Sequence, residues 1–209
     1  MRSPPIPPAG VVIASGGNAG IAVACAAQAL GVRCEVFVPE VCSPAKQGKL
    51  AQLGAHVTVG GRGYAEALQA SLERQQQSGA LLMHAYDQPE VVAGAGTLAR
   101  ELEAQAGGAP DAVLVSVGGG GLVGGIAAWF AGRCRIEALE PELAPTLFRA
   151  REAGVPVDVS VSGIAADSLG ARRIGAIAWP LTQQHVARSW LLSDAAIREA
   201  QQFLWHEFK

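Results

Sequence analysis

Short apolar runs rich in β-branched residues alternate with helix-like stretches of about 10–20 residues along almost the whole chain. "GVVIAS", "CEVFVPE", "AHVTVG", "ALLMHAY", "DAVLVSV" and "RIEALEPE" read as strands. "AGIAVACAAQALG", "SPAKQGKLAQLG", "GYAEALQASLERQQQSG", "QPEVVAGAGTLARELEAQAGG", "GLVGGIAAWFAG" and "APTLFRAREAG" follow them as helices. The C-terminal "WLLSDAAIREAQQFLWHEFK" opens as a short strand and continues as a helix capped at Ser193 or Asp194. Ser43 and Pro44 are the N-cap and first-turn proline of the second helix, and Gly54 and Gly79 close the second and third. Strands with continuous apolar runs belong to parallel sheets covered by helices on both faces and joined by right-handed crossovers. In such sheets the ligand sits beyond the carboxyl ends of the strands. The expected fold is therefore α/β, with parallel twisted sheets flanked by helices. Only Ser160–Gly175, "SVSGIAADSLGARRIG", breaks the rhythm and reads as a glycine-rich functional loop.

A length of 209 residues allows one large domain or two small ones, and 50% hydrophobic content with 16% charge supplies a sizeable core. A net charge of −2 with no basic run argues against nucleic acid and a membrane surface. No uninterrupted apolar stretch reaches the length of a transmembrane helix, about 18 residues, and "MRSPPIPPAG" lacks the apolar core of a secretory signal. Cys25, Cys34, Cys42 and Cys134 show no paired spacing, which reads as buried free thiols in a reducing cytoplasm.

Two corners carry the chemistry. In "LVSVGGGGLVGG" four consecutive glycines, Gly118, Gly119, Gly120 and Gly121, follow a strand. Each costs conformational entropy, so sheet stability does not explain them. They let several N–H groups, with that of Leu122, converge on one anion at the positive end of the next helix, a phosphate cradle. The plain alternative is a turn that merely packs close. Gly119, Gly121 and Gly124 also satisfy G-x-G-x-x-G, with Glu140 at the end of the next strand as a ribose-binding acid. An NAD(P)-binding Rossmann oxidoreductase is the second class that follows from it, but it leaves the first corner without a job. That corner, Ser15 to Gly20, has Asn18 at its centre, either an amide donor to a ligand oxygen or only a helix N-cap.

The two corners together resemble the pyridoxal-phosphate (PLP) enzymes of the tryptophan synthase β-subunit fold type, PLP fold type II, in the threonine/serine dehydratase and serine racemase branch. "ASGGNAG" is similar to the family's strand-corner-helix motif and "SVGGGGLVGG" to its phosphate loop. "HAYDQPEVVAGAGT" resembles the segment linking its small and large domains, "EALEPELAPTL" the strand after the phosphate helix, and "IAADSLGARRIG" the Ala-Asp-Gly segment. The resemblance implies two lobes with a cofactor cleft between them, a small lobe over residues 1–88 and the core of a larger one over residues 89–209. It implies that Asn18 meets the 3′-oxygen of pyridoxal, that Gly118–Gly121 and Leu122 hold the phosphate, and that Ser15, Gly16 and Gly17 hold the carboxylate of a Ser or Thr substrate. The implied reaction is β-elimination to a 2-oxo acid and ammonia, in a cytoplasmic protein whose full-length form is a homo-oligomer.

The departures are specific. Gly16 stands where the racemase has an acid/base Ser, which favours elimination over racemisation. Ser168 replaces the Gly of the Ala-Asp-Gly segment and brings a side chain towards the cofactor. The family's divalent-cation site maps to Glu140, Ala144 and Thr146, where the last carboxylate is lost, so Glu140 is a weak metal candidate. The family's Schiff-base Lys lies upstream of the Asn corner, where this chain has no Lys. Its only lysines are Lys46, Lys49 and Lys209. The family's late glycine-rich strand is also missing. The expectation is a form truncated at both ends, Met1 being an internal methionine, and inactive by itself, or else a non-catalytic homologue.

Overall fold

The computed structural model describes residues 5–209. The reading of Met1 and the start of the first lobe fall outside the described residues. The chain divides into two compact units, Met1–Ala85 and Tyr86–Lys209.

The first unit runs β1 (Val11–Ala14), α1 (Asn18–Ala29), β2 (Cys34–Val38), α2 (Pro44–Gln52), β3 (His56–Val59), α3 (Tyr64–Ser78) and β4 (Leu81–Met83). Ser43 caps α2 by accepting the Lys46 N–H at 3.4 Å, and left-handed Gly79 closes α3. All pairings are parallel and the strand order is β3-β2-β1-β4. The order reverses at β1. Crossovers of one hand then place α1 and α2 on one face and α3 on the other. The strand side chains sort accordingly. Val11, Ile13, Cys34, Val36 and Val38 pack with Ala24, Ala27 and Leu50, while Val12, Ala14 and Phe37 pack with Ala67 and Ala80.

Glu35 shares the α3 face and is nearly buried. Arg74 of α3 meets it with two hydrogen bonds of 2.7 Å, so the charge is paired where it is desolvated. Of the four thiols, Cys34 and Cys134 are buried as expected, Cys42 is half-buried and Cys25 is exposed on α1; all are free. Burial, and then the neighbouring Glu35, push the Cys34 thiol up to about 11.

The second unit runs α4 (Pro89–Ala106), β5 (Ala112–Ser116), α5 (Gly121–Phe130), β6 (Arg135–Pro141), α6 (Thr146–Ala153), α7 (Ala166–Leu169), α8 (Ala178–His185), β7 (Val186–Leu192) and α9 (Asp194–Glu207). Ser193 caps α9 through the Ala196 N–H at 3.2 Å. The sheet order β5-β6-β7 follows the sequence, so both crossovers fall on one face. That face carries the core of Val115, Ile136, Ala138 and Val186 under Phe130, Ile126, Leu147 and Ala178. The opposite face holds Leu114, 67% exposed, and Trp190, 45% exposed. The expectation of helices on both faces therefore holds in the first sheet and not, among the described residues, in the second. Helices α4 and α5 meet through glycine: a Cβ on Gly125 would lie 2.4 Å from the Val92 carbonyl and 2.6 Å from the Gly96 nitrogen. Three elements differ from the sequence expectation. The stretch Ser160–Gly175 contains the short α7, and β7 starts four residues before Trp190, directly after an unforeseen α8.

The Arg74 hydrogen bonds hold the Glu35 carboxyl below its ordinary range. Its stabilisation is therefore present above the unfolded value, about 4.3, and is lost as pH falls through the lowered folded value. Arg74→Ala should lower the melting temperature at pH 7 and flatten its decline between about pH 5 and pH 3. Thermal melts across that range would read this, and an unchanged acid limb would show that the pair contributes nothing.

Candidate functional site

The first corner lies at the carboxyl end of β1, where the strand order of its sheet reverses, which is where open parallel sheets leave a ligand crevice. Ser15 turns the chain and its Oγ accepts the Gly17 N–H at 3.3 Å. Gly17 is the N-cap residue, with no side-chain capping bond, and Asn18 is the first residue of α1. Asn18 is exposed and is not the cap, so the N-cap reading of this residue does not describe it. The first N–H groups of α1 have no carbonyl within the helix and face the corner. Gly20 is fixed by contact, because a Cβ there would sit 1.9 Å from the Ser15 carbonyl oxygen. A Cβ on Gly16 would lie 2.7 Å from Cys42 Sγ and 3.3 Å from Val38 Cγ1.

The second corner connects β5 to α5. Three neighbours, Leu169, Tyr86 and Ile174, press on its four glycines. A Cβ on Gly118 would lie 3.0 Å from Leu169 Cα, and one on Gly119 would lie 2.3 Å from the Tyr86 ring. One on Gly120 would meet Ile174 Cδ1 at 2.4 Å, and one on Gly121 the Tyr86 carbonyl at 2.7 Å. Gly120 also has φ +90°, which a side chain rarely adopts. Among the described residues no backbone carbonyl receives the N–H groups of Gly118, Gly119, Gly120, Gly121 or Leu122. The result is a loop without side chains, with unpaired donors at the N-terminus of a ten-residue helix. That donor set fits a phosphate and needs no cation.

Ser168 lies in α7, whose last residue, Leu169, is the one packed on Gly118. The segment is therefore placed beside the loop, with the Ser168 hydroxyl donating to Asp167 Oδ1 at 3.0 Å. Sequence reasoning missed Tyr86 and Asp87. Tyr86 covers Gly119, and Asp87 accepts the N–H groups of Ala176 and Ile177 at 2.9 Å each, at the start of α8. Only the position of these two residues just before Pro89 could have pointed to them.

Glu140 is engaged as a helix cap in the structure. It is 1% exposed and accepts the Leu147 N–H at 2.6 Å and the Phe148 N–H at 2.7 Å, capping α6; the Ser189 hydroxyl hydrogen-bonds Oε2. Burial raises its carboxyl above the ordinary value, and the Ser189 and backbone donors draw it back. Committed in this way, it is not available to ribose hydroxyls, which removes the dinucleotide argument. The Thr146 hydroxyl donates to the Ala171 carbonyl at 2.8 Å, so the set Glu140, Ala144 and Thr146 does not fit a divalent cation.

A family model described as pyridoxal-phosphate dependent enzyme matches residues 5–209, and the chain belongs to that family. It is 35% identical to an L-threonine ammonia-lyase of Geobacter sulfurreducens over 90% of this chain and 47% of the relative. It is 33% identical to a phenylserine dehydratase of Ralstonia pickettii over 96% of this chain and 62% of the relative. Its fold is similar to the processed form of threonine deaminase isoform 2 from Solanum lycopersicum, with a TM-score of 0.89 and 28% identity over 96% of this chain and 59% of that one. The chain thus spans about half to three fifths of the length of these relatives. The α/β fold with parallel sheets and the pyridoxal-phosphate family follow from these matches. No helix among the described residues is long and apolar enough to cross a membrane.

If Glu140 is a helix cap, Glu140→Gln should destabilise the second unit by about 1–3 kcal/mol, because an amide NH₂ replaces one acceptor opposite a buried donor. Urea unfolding would measure this. Added Mg²⁺ or Ca²⁺ should shift neither form, and a cation-dependent rise in melting temperature of the unsubstituted chain alone would restore the metal reading.

Proposed function

We propose that this chain carries the cofactor- and carboxylate-holding elements of a pyridoxal-phosphate-dependent amino-acid ammonia-lyase. The substrate is Ser or Thr, and the products are a 2-oxo acid and ammonia. The observation that carries the reading is the loop of Gly118–Gly121, whose N–H groups and that of Leu122 have no acceptor among the described residues at the start of α5. They hold the 5′-phosphate. Asn18 donates to the 3′-oxygen of the ring, and Ser168 lies in the segment beside the loop. Ser15, Gly16 and Gly17, with the free N–H groups of α1, hold the substrate carboxylate. When bound, pyridoxal phosphate supplies the electron sink for the α-carbon. Gly16 offers no proton at its position, which favours elimination over racemisation. The names of the relatives, a threonine ammonia-lyase and a phenylserine dehydratase, support a 3-hydroxy amino acid.

Lys46 and Lys49 lie on α2 and Lys209 is the last residue, so no lysine stands on either corner. The 209-residue chain therefore binds the cofactor without turning over Ser or Thr. The free thiols of Cys34 and Cys134 fit a reducing cytoplasm, and the exposed Leu114 and Trp190 fit association of the full-length form into a homo-oligomer.

Pyridoxamine 5′-phosphate, which needs no lysine, is the probe. It should bind saturably by ³¹P NMR, and pyridoxamine should bind at least about tenfold more weakly for want of the phosphate contacts. Gly119→Ala, which drives a methyl into the Tyr86 ring, should abolish the difference. NADH should give no saturable signal. A micromolar dissociation constant for NADH with none for pyridoxamine 5′-phosphate would overturn the assignment.

A further inference from the structure

Asp87 and Tyr86 stand next to the phosphate loop in space and about thirty residues from it in sequence. The Asp87 carboxylate accepts the N–H groups of Ala176 and Ile177, both at 2.9 Å, and a Cβ on Gly175 would lie 2.7 Å from Asp87 Oδ1. The corner at 175–177 is therefore closed onto this one carboxylate. That corner in turn holds the loop, because the Gly175 N–H donates to the Gly119 carbonyl at 2.9 Å. On the other side the Tyr86 ring lies against Gly119 and the Tyr86 backbone against Gly121. Ile174 and Ala178, on either side of the corner, fill the space next to Gly120.

The peptide plane between Gly119 and Gly120 has its carbonyl at one end and the Gly120 N–H at the other. A bond that fixes the carbonyl of Gly119 also fixes the direction of the Gly120 donor. A run of four glycines has little conformational preference of its own, so its shape has to be imposed from outside. We infer that Asp87 is a positioning residue for anion binding: through Ala176, Ile177 and Gly175 it orients the Gly119–Gly120 peptide, so that the tetraglycine loop presents its donors ready-made to a phosphate. This rests on the phosphate assignment of the loop given above. Asp87 touches neither phosphate nor substrate in this role.

The test uses the 209-residue chain labelled with ¹⁵N, with inorganic phosphate and pyridoxamine 5′-phosphate as probes and the amide signals of Gly118–Gly121 as the readout. Asp87→Ala should weaken both probes by about tenfold or more, as expected for the loss of two charge-assisted hydrogen bonds that set the geometry. Asp87→Asn, which keeps the shape and one acceptor, should fall between, and it keeps the test open should the alanine variant not fold. The free-state shifts of the glycine amides should move in the same order. Arg74→Ala, which breaks an ion pair in the first unit, is the control for general destabilisation and should leave both affinities unchanged. Wild-type affinity in Asp87→Asn and Asp87→Ala, or an equal loss in Arg74→Ala, would overturn the role of Asp87 alone. Failure of the unsubstituted chain to bind either probe would overturn the phosphate reading and this inference with it.

Discussion

A helix that begins at the end of a parallel strand exposes its first N–H groups with no carbonyl to receive them, and both corners of this chain are organised around that deficit. At the first corner the turn is made by Ser15–Gly17, and at the second by four glycines. In neither does a side chain of the corner cap its helix. The remaining packing follows from keeping those places clear. The ring of Tyr86 approaches to a distance that a single methyl group would forbid, the backbone of Leu169 leaves a methyl group only a tight fit, and α1 sits directly on the Ser15 carbonyl. The sheets supply the platform, since both corners are at carboxyl ends of strands.

The strand and helix alternation was legible because short runs such as Val11–Ala14, wholly apolar, and Cys34–Val38, apolar but for Glu35, are buried, and because local caps such as Ser43 and Ser193 act within three residues. The tetraglycine loop was legible because its composition has no cheaper explanation. Helix α8 was not legible, for a physical reason: the carboxylate at its start, Asp87, is 89 residues away from Ala176, and Pro180 interrupts its pattern. The role of Glu140 was hidden in the same way. An acid after an apolar strand fits a ribose, a cation or a helix cap equally well, and only the approach of α6 decides between them. Which peptides receive a carboxylate depends on tertiary structure, whereas periodicity is a property of the local sequence.

Two almost buried carboxylates show how differently the same cost is met. Glu35 is matched by a guanidinium, which stabilises its charge and holds its carboxyl low. Glu140 is matched by two backbone N–H groups and a hydroxyl, which do not fully offset burial, and its carboxyl is held high. The first arrangement links a strand to the helix covering it. The second joins the end of β6 to the first turn of α6 and to β7 through Ser189, so these three elements share one anchor.

The contact between Gly16 and Cys42 makes two positions interdependent. Any side chain at residue 16 has to enter space that the Cys42 sulfur now fills, with Val38 behind it. A side chain at residue 16 therefore draws on residue 42, where the thiol has to rotate aside or a smaller residue has to stand. A library aimed at a hydroxyl on the Asn18 corner would therefore gain from varying residues 16 and 42 together rather than residue 16 alone.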